Sequence, residues 1–263
     1  MHANETPLER LLRNSQDEPG LRPEFYRRLL DAQVLVPVKV DPGQSINGMI
    51  PANFDLGVIT HVMESGIEVV PFYTSAARVF EGAPEGEQCV LLTTWELFEL
   101  FQHRPDMHFH LNPFSKFGRQ FSPSEAAALL ARGIPLTTAR QQIAIDDSVM
   151  PSAPAQPPAD VLDALTVCFA RNFQVKTAYI AELHWPAGYT EPSLLIAVDL
   201  TEGGDRDQLH REVGTVLIET EMPDRPTIAF GVLRRDGSRI SNYFLRDAKP
   251  FYEAGLPVRL LQG

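Results

Sequence analysis

Two cysteines in 263 residues, Cys89 and Cys168, are too few for a disulfide framework or a cysteine-rich zinc site. Both sit in apolar stretches, "CVLL" and "LTVCF", and far apart in the chain. They read as reduced core thiols of a cytoplasmic protein, because a catalytic thiol needs a polar, electropositive setting. A basic tract is also missing. Net charge is −11, and residues 1–140 carry 12 Lys and Arg against 17 Asp and Glu, while residues 141–263 carry 11 against 17. Nucleic-acid binding by counterion release therefore lacks its main source of free energy, and anionic membrane surfaces are disfavoured for the same reason. No apolar run approaches the roughly 18 residues of a membrane helix. The opening "MHANETPLERLLRN" lacks the apolar centre of a signal peptide. There is no G-x-S-x-G, no G-x-x-x-x-G-K-[ST] and no G-x-G-x-x-G, so the common hydrolase, phosphate-loop and dinucleotide signatures are excluded.

What is present is an ordinary globular balance, 44% hydrophobic and 22% charged, in a chain long enough for two modest domains. In "TPLERLL", Thr6, Pro7 and Glu9 form a capping box that opens a helix with Leu8, Leu11 and Leu12 on one face. "LRPEFYRRLLDA" predicts a second helix, with Phe25, Tyr26, Leu29 and Leu30 inward. Strands follow at "QVLVPVKV", at 57–63, at "GIEVVPF" and at "EQCVLLTT". A short helix is capped by Thr74 or Ser75, and another runs through "TWELFELFQHR". The first half thus reads as a mixed sheet with helices against it. A boundary falls near 134–142, with a short strand at "QQIAID" and a proline-rich lead-in at 151–158. The second half predicts a helix capped by Asp160, the strand pair "QVKTAYIAELHW" and "SLLIAVDL", and a helix capped by Asp205. It ends in a hairpin of "PTIAFGVL" and "RISNYFLR" around Asp236-Gly237. The fold class is α+β: two mixed α/β-sandwich-like domains in tandem, residues 1–138 and 139–263.

The stretch "DMHFHLNPFSKFGRQFSPSEAAALLARG" at 106–133 carries the candidate chemistry. His108 and His110 fall on one face of a strand, about 6.6 Å apart, where both could reach one zinc, with His103 upstream as a third ligand. Met107, Phe109 and Leu111 occupy the opposite face, so the same pattern fits a half-buried strand whose polar side holds two histidines. No H-E-x-x-H, C-x-x-C or acidic ligand set accompanies them, which favours the second explanation. Pro113 stops the strand and biases Asn112 towards an extended backbone. Gly118 permits a turn, "SPSE" is a capping box for the next helix, and Gly133 ends that helix. Phe114, Phe117 and Phe121 are expected to be core or loop packing. Asn112, Ser115 and Arg119 are the candidate binding residues of this stretch, no residue is assigned to catalysis, and no cofactor is called for.

Several stretches, in this order and spacing, resemble the bacterial enhanced serine sensitivity (SseB) family. They are "LERLL" at 8–12, "PEFYRRLLDAQVLVPV" at 23–38, "VPFYTS" at 70–75 and, above all, "LNPFSKFGRQFSPSE" at 111–125. In the second half they are "PPADVLDAL", "VKTAYIAEL", "SLLIAVDL" and "KPFY". The resemblance covers nearly the whole chain and implies an amino-terminal and a carboxy-terminal domain of that family. Its motif is the asparagine-proline with the loop after it, matched here by Asn112, Pro113, Ser115 and Gly118. The preceding strand is mainly aliphatic in the family pattern, so the H-x-H is a departure of this sequence. The expected function is that of a non-catalytic cytoplasmic regulatory or protein-interaction protein, tied by the resemblance to serine sensitivity. Its expected partner is another protein, with no nucleic acid and no membrane, and no feature fixes an oligomeric state. The alternatives are an enzyme of amino-acid metabolism, metal-dependent through His108 and His110, or a small-metabolite sensor.

Overall fold

The structure is a computed structural model that describes residues 5–39, 57–115, 118–132, 148–186, 193–220, 228–235 and 237–255. It divides into two compact units: residues 1–14 with 25–135, and residues 15–24 with 136–263. The boundary drawn at 138/139, the "QQIAID" strand, the helix stop at Gly133 and the loop over 41–56 lie outside the described residues.

The first unit opens with α1 (Pro7–Asp17) as far as Asn14 and with α2 (Arg22–Asp31) from Phe25 on, the latter burying Phe25, Tyr26, Leu29 and Leu30 as its spacing predicts. The central strand is β1 (Gln33–Lys39). It pairs antiparallel with β5 (Cys89–Thr93) and with the two-residue β2 (Gly57–Val58). A second sheet runs β3 (His61–Val62), β4 (Glu68–Phe72), β6 (His108–Leu111) and β7 (Arg119–Phe121). The predicted strand over 57–63 is thus two short ones in different sheets, and β7 is a strand where the sequence suggested only loop. A reciprocal bridge joins the sheets: Leu35 N–H donates to the Tyr73 carbonyl at 2.8 Å and Tyr73 N–H to the Leu35 carbonyl at 2.9 Å.

β4 and β6 are parallel, and the chain between them contains α3 (Ala76–Gly82), β5 and α4 (Thr94–Leu100). α4 begins with a complete capping box of Thr93 and Glu96. α5 (Pro123–Arg132) begins with the predicted box, Ser122 N–H donating to Glu125 Oε2 at 2.9 Å and Glu125 N–H to Ser122 Oγ at 3.2 Å. The core between sheets and helices contains Phe72, Phe98, Phe109 and Phe121, whose ring centroids lie 4.6–6.2 Å apart in tilted or edge-on pairs.

In the second unit the sheet order is β11 (Ile228–Val232), β10 (Ser193–Leu200), β9 (Val175–His184), β12 (Tyr252–Glu253). β8 (Met150–Ser152) also pairs with β9. β9 and β10 are the predicted antiparallel pair. Their alternate residues face two cores. Ala178, Ile196 and Val198 meet α6 (Ala159–Ala170) and α7 (Arg206–Thr220), while Ala181, Leu183, Leu195 and Ala197 meet Phe244 of α8 (Arg239–Arg246).

The structure corrects three expectations for this half. "RISNYFLR" is the helix α8, not the second strand of a hairpin, and β11 pairs in parallel with β10 across α7. Ser238 caps that helix by accepting from Ser241 N–H, and Ile240, Tyr243 and Phe244 fall on one helical face that packs on the sheet. Asp160 lies inside the first turn of α6, whose capping position is Pro158. Asp205 does cap α7, its Oδ1 accepting from Gln208 N–H at 2.9 Å.

Candidate functional site

Three of the sequence stretches singled out above meet at the carboxyl ends of the parallel strands β4 and β6. This is the end at which open α/β sheets ordinarily place functional groups. β4 runs out into Tyr73-Thr74-Ser75 and β6 into Asn112-Pro113, and the amino-terminal turn of α1 contributes Glu9.

Glu9 is 3% exposed. It closes the first capping box, with Thr6 N–H donating to Oε2 at 2.9 Å and Glu9 N–H to Thr6 Oγ1 at 3.2 Å. It also accepts from the Thr74 hydroxyl at 2.5 Å, the Ser75 hydroxyl at 3.0 Å, Arg78 Nε at 3.1 Å and, more weakly, the second Arg78 nitrogen at 3.4 Å. Burial alone would raise its pKa, but the hydrogen bonds from Arg78, Thr74, Thr6 and Ser75 outweigh it and hold the carboxyl at about 2. Ser75 takes the capping position of α3, yet its hydroxyl turns to Glu9 instead of the helix.

Asn112 completes the cluster. It is 2% exposed with φ of 46°, a left-handed conformation that asparagine tolerates better than most residues. The extended backbone expected before Pro113 is therefore not what forms. The side chain explains the difference: Oδ1 accepts Thr74 N–H at 3.0 Å and Nδ2 donates to Thr74 Oγ1 at 3.1 Å, while the backbone N–H donates to the Phe72 carbonyl. A relay results, from Asn112 through the Thr74 hydroxyl to the Glu9 carboxylate. Ser115 N–H then donates to the Asn112 carbonyl at 2.9 Å and Gly118 N–H to the Ser115 carbonyl at 3.0 Å. A Cβ at Gly118 would stand 2.6 Å from the Asn112 carbonyl oxygen, so the glycine is required by close backbone approach.

Of the other candidate residues, Arg119 sits apart from this cluster. Its guanidinium donates to the Tyr26 hydroxyl at 2.6 Å and to Glu125 at 3.3 Å and lies over the Tyr26 and Phe121 rings, which ties β7 to α2 and α5. His108 and His110 share the half-buried face of β6 beside Val69 and Pro71, and His103 is exposed beyond α4. Burial lowers the His110 pKa. Among the described residues, no three His, Cys, Asp or Glu side chains gather into a group that could hold a metal ion. Cys168 is buried; Cys89 is half-buried, with burial and Glu87 pushing its thiol pKa up, away from a reactive thiolate. Phe121 is core, Phe114 is 57% exposed, and Phe117 lies outside the described residues.

The sequence marks Glu9 only as a cap, and Thr74 and Ser75 only as cap candidates. It gives no sign of Arg78, because nothing local shows that α3 would turn this residue towards α1.

These features define a protein of two α+β units whose first unit gathers separated stretches into a buried polar junction. Residues 8–128 match the family model described as SseB protein N-terminal domain, and residues 143–254 the one described as SseB protein C-terminal domain. The chain belongs to the SseB family. It is 28% identical over 254 residues to Protein SseB of Escherichia coli (strain K12) and, to the same extent, to Protein SseB of Shigella flexneri, covering 96% of this chain and 94% of each relative. No solved structure matches it significantly. No helix among the described residues is long and apolar enough to cross a membrane.

Proposed function

We propose that the protein is a non-catalytic, cytoplasmic regulatory protein of the SseB type that acts by binding another protein, with serine sensitivity as the physiological context the family resemblance supplies. One observation carries this reading: at the junction, the polar groups are engaged with one another. A general acid or base works best with a pKa near the operating pH and a free position for a proton. Glu9 is held at about 2 with donors on both oxygens, and Arg78 is raised above its usual value by Glu9. Neither titrates near neutrality. Among the described aromatic residues of the same stretches, Phe114 is exposed, and exposed aromatic side chains belong to the chemistry of protein interfaces. The test is co-purification of the full-length tagged protein, at native expression level, from the organism that carries the gene. At least one partner recovered reproducibly and in comparable amount is the expected result; a protein that emerges alone in every preparation would overturn the proposal.

A further inference from the structure

Phe80 and Phe114 are 54% and 57% exposed, and both rings rest on one turn of the first unit. Phe114 lies directly over Gly82: a Cβ placed on that glycine would stand 2.0 Å from the ring's Cδ2. The absence of a side chain at Gly82 leaves the room in which the ring lies. On the other side of the turn, Phe80 Cε1 is 3.4 Å from a Cβ placed on Gly86, whose N–H donates to the Ala83 carbonyl at 2.8 Å.

The turn that bears these rings is acidic: Glu81 and Glu85 are both exposed. The cation on the same helix, Arg78, has a side chain only 19% exposed and pairs with both Glu9 and Glu81. Lys116 lies outside the described residues. Two ring faces beside carboxylates favour a cation and an apolar group together, since a ring face attracts cations and the carboxylates steer them. They repel anionic lipid and nucleic-acid phosphates.

We infer that the surface formed by Phe80, Phe114, Glu81 and Glu85 docks a protein segment in which an apolar side chain is flanked by Lys or Arg. The inference rests on the protein-binding reading above and adds the place and the chemistry.

The test uses the full-length protein in its own host, with photoreactive benzoyl-phenylalanine replacing Phe80 in one variant and Phe114 in another, and mass-spectrometric identification of the cross-linked peptide. The two positions guard against disturbance of the Gly82 contact. Cross-links from either position to one partner, at a segment with Lys or Arg close to an apolar residue, are expected. Adding Glu85→Lys should reduce their yield several-fold, as reversal of an attracting charge does. Cross-links to an acidic or uncharged segment, to a second copy of this chain, or to nothing would overturn the inference, as would a yield indifferent to Glu85→Lys. If the tagged wild-type protein still co-purifies its partner in any of these cases, the protein-binding reading survives; if it has no partner by either route, both fall.

Discussion

Glu9 does two jobs with one carboxylate. It closes the capping box of α1, and it anchors the β4–α3 corner through Thr74, Ser75 and Arg78. Glu9→Gln separates them, because glutamine also completes a capping box but cannot pair with Arg78 as a charge. The folded pKa of about 2 lies below the ordinary 4.5, so the ionised form stabilises the fold. That contribution is present above pH 4.5 and is lost as pH falls towards 2. Linkage sets its upper bound at about 3 kcal/mol, and partial solvent screening of Arg78 brings the expected value to about 1–2 kcal/mol. Urea unfolding of wild type and Glu9→Gln should therefore differ by that amount at pH 7, with the gap closing between pH 4.5 and about 2. A gap that stays the same size down to the bottom of that range would show that the cost is shape and not charge.

At the scale of the element, caps are the most legible feature. The boxes at Thr6/Glu9 and Ser122/Glu125, both expected from the sequence, depend on residues three apart, and a local pattern is what a sequence displays directly; the box at Thr93/Glu96 has the same spacing but is not among those expectations. The apolar faces of α1, α2 and α6 and the pairing of β9 with β10 are equally readable. α8 is not. "RISNYFLR" has branched and aromatic residues that suit a strand, and Asp236-Gly237 suggests a hairpin; the outcome is decided by the face of β9 and β10 that Phe244 covers, which is long-range. Asn112 departs from expectation for the same kind of reason, since its backbone is set by Thr74, 38 residues away. The buried junction is legible only as fragments, because its members come from three separated stretches. Two substitutions test the helical assignment of α8. Ser238→Ala should cost about 1 kcal/mol through loss of the cap, and Phe244→Ala about 3–5 kcal/mol through the cavity left between helix and sheet. Denaturant midpoints would read both, and a neutral Ser238→Ala would argue against a capped helix at this position.

At the scale of the molecule, the family's amino-terminal match, 8–128, does not coincide with a compact unit. Residues 15–24 lie within that match yet belong to the unit containing residues 136–263. The reason is packing. A 3-10 turn at Pro19–Leu21 buries Gly20 and Leu21 and lies against α6 and α7. Glu18 Oε1 accepts Gly20 N–H at 3.3 Å, Arg22 Nε donates to the Ser15 carbonyl at 2.9 Å, and Glu24 pairs with Arg171 at 3.2 Å. Gly20 is the pivotal contact. A Cβ there would stand 2.3 Å from the Ala164 carbonyl oxygen and 2.8 Å from Val167 Cβ, and a helix carbonyl cannot move aside as a flexible side-chain tip can. Gly20→Ala in the full chain should therefore displace the turn and destabilise this unit by about 1–3 kcal/mol, as overpacking does. Hydrogen exchange locates the effect: amides of α6 should exchange about tenfold faster or more, while those of β4 and β6 keep their protection. Unchanged exchange in α6 would mean that the turn only rests on the helix, and equal loss in both units would mean that they unfold as one.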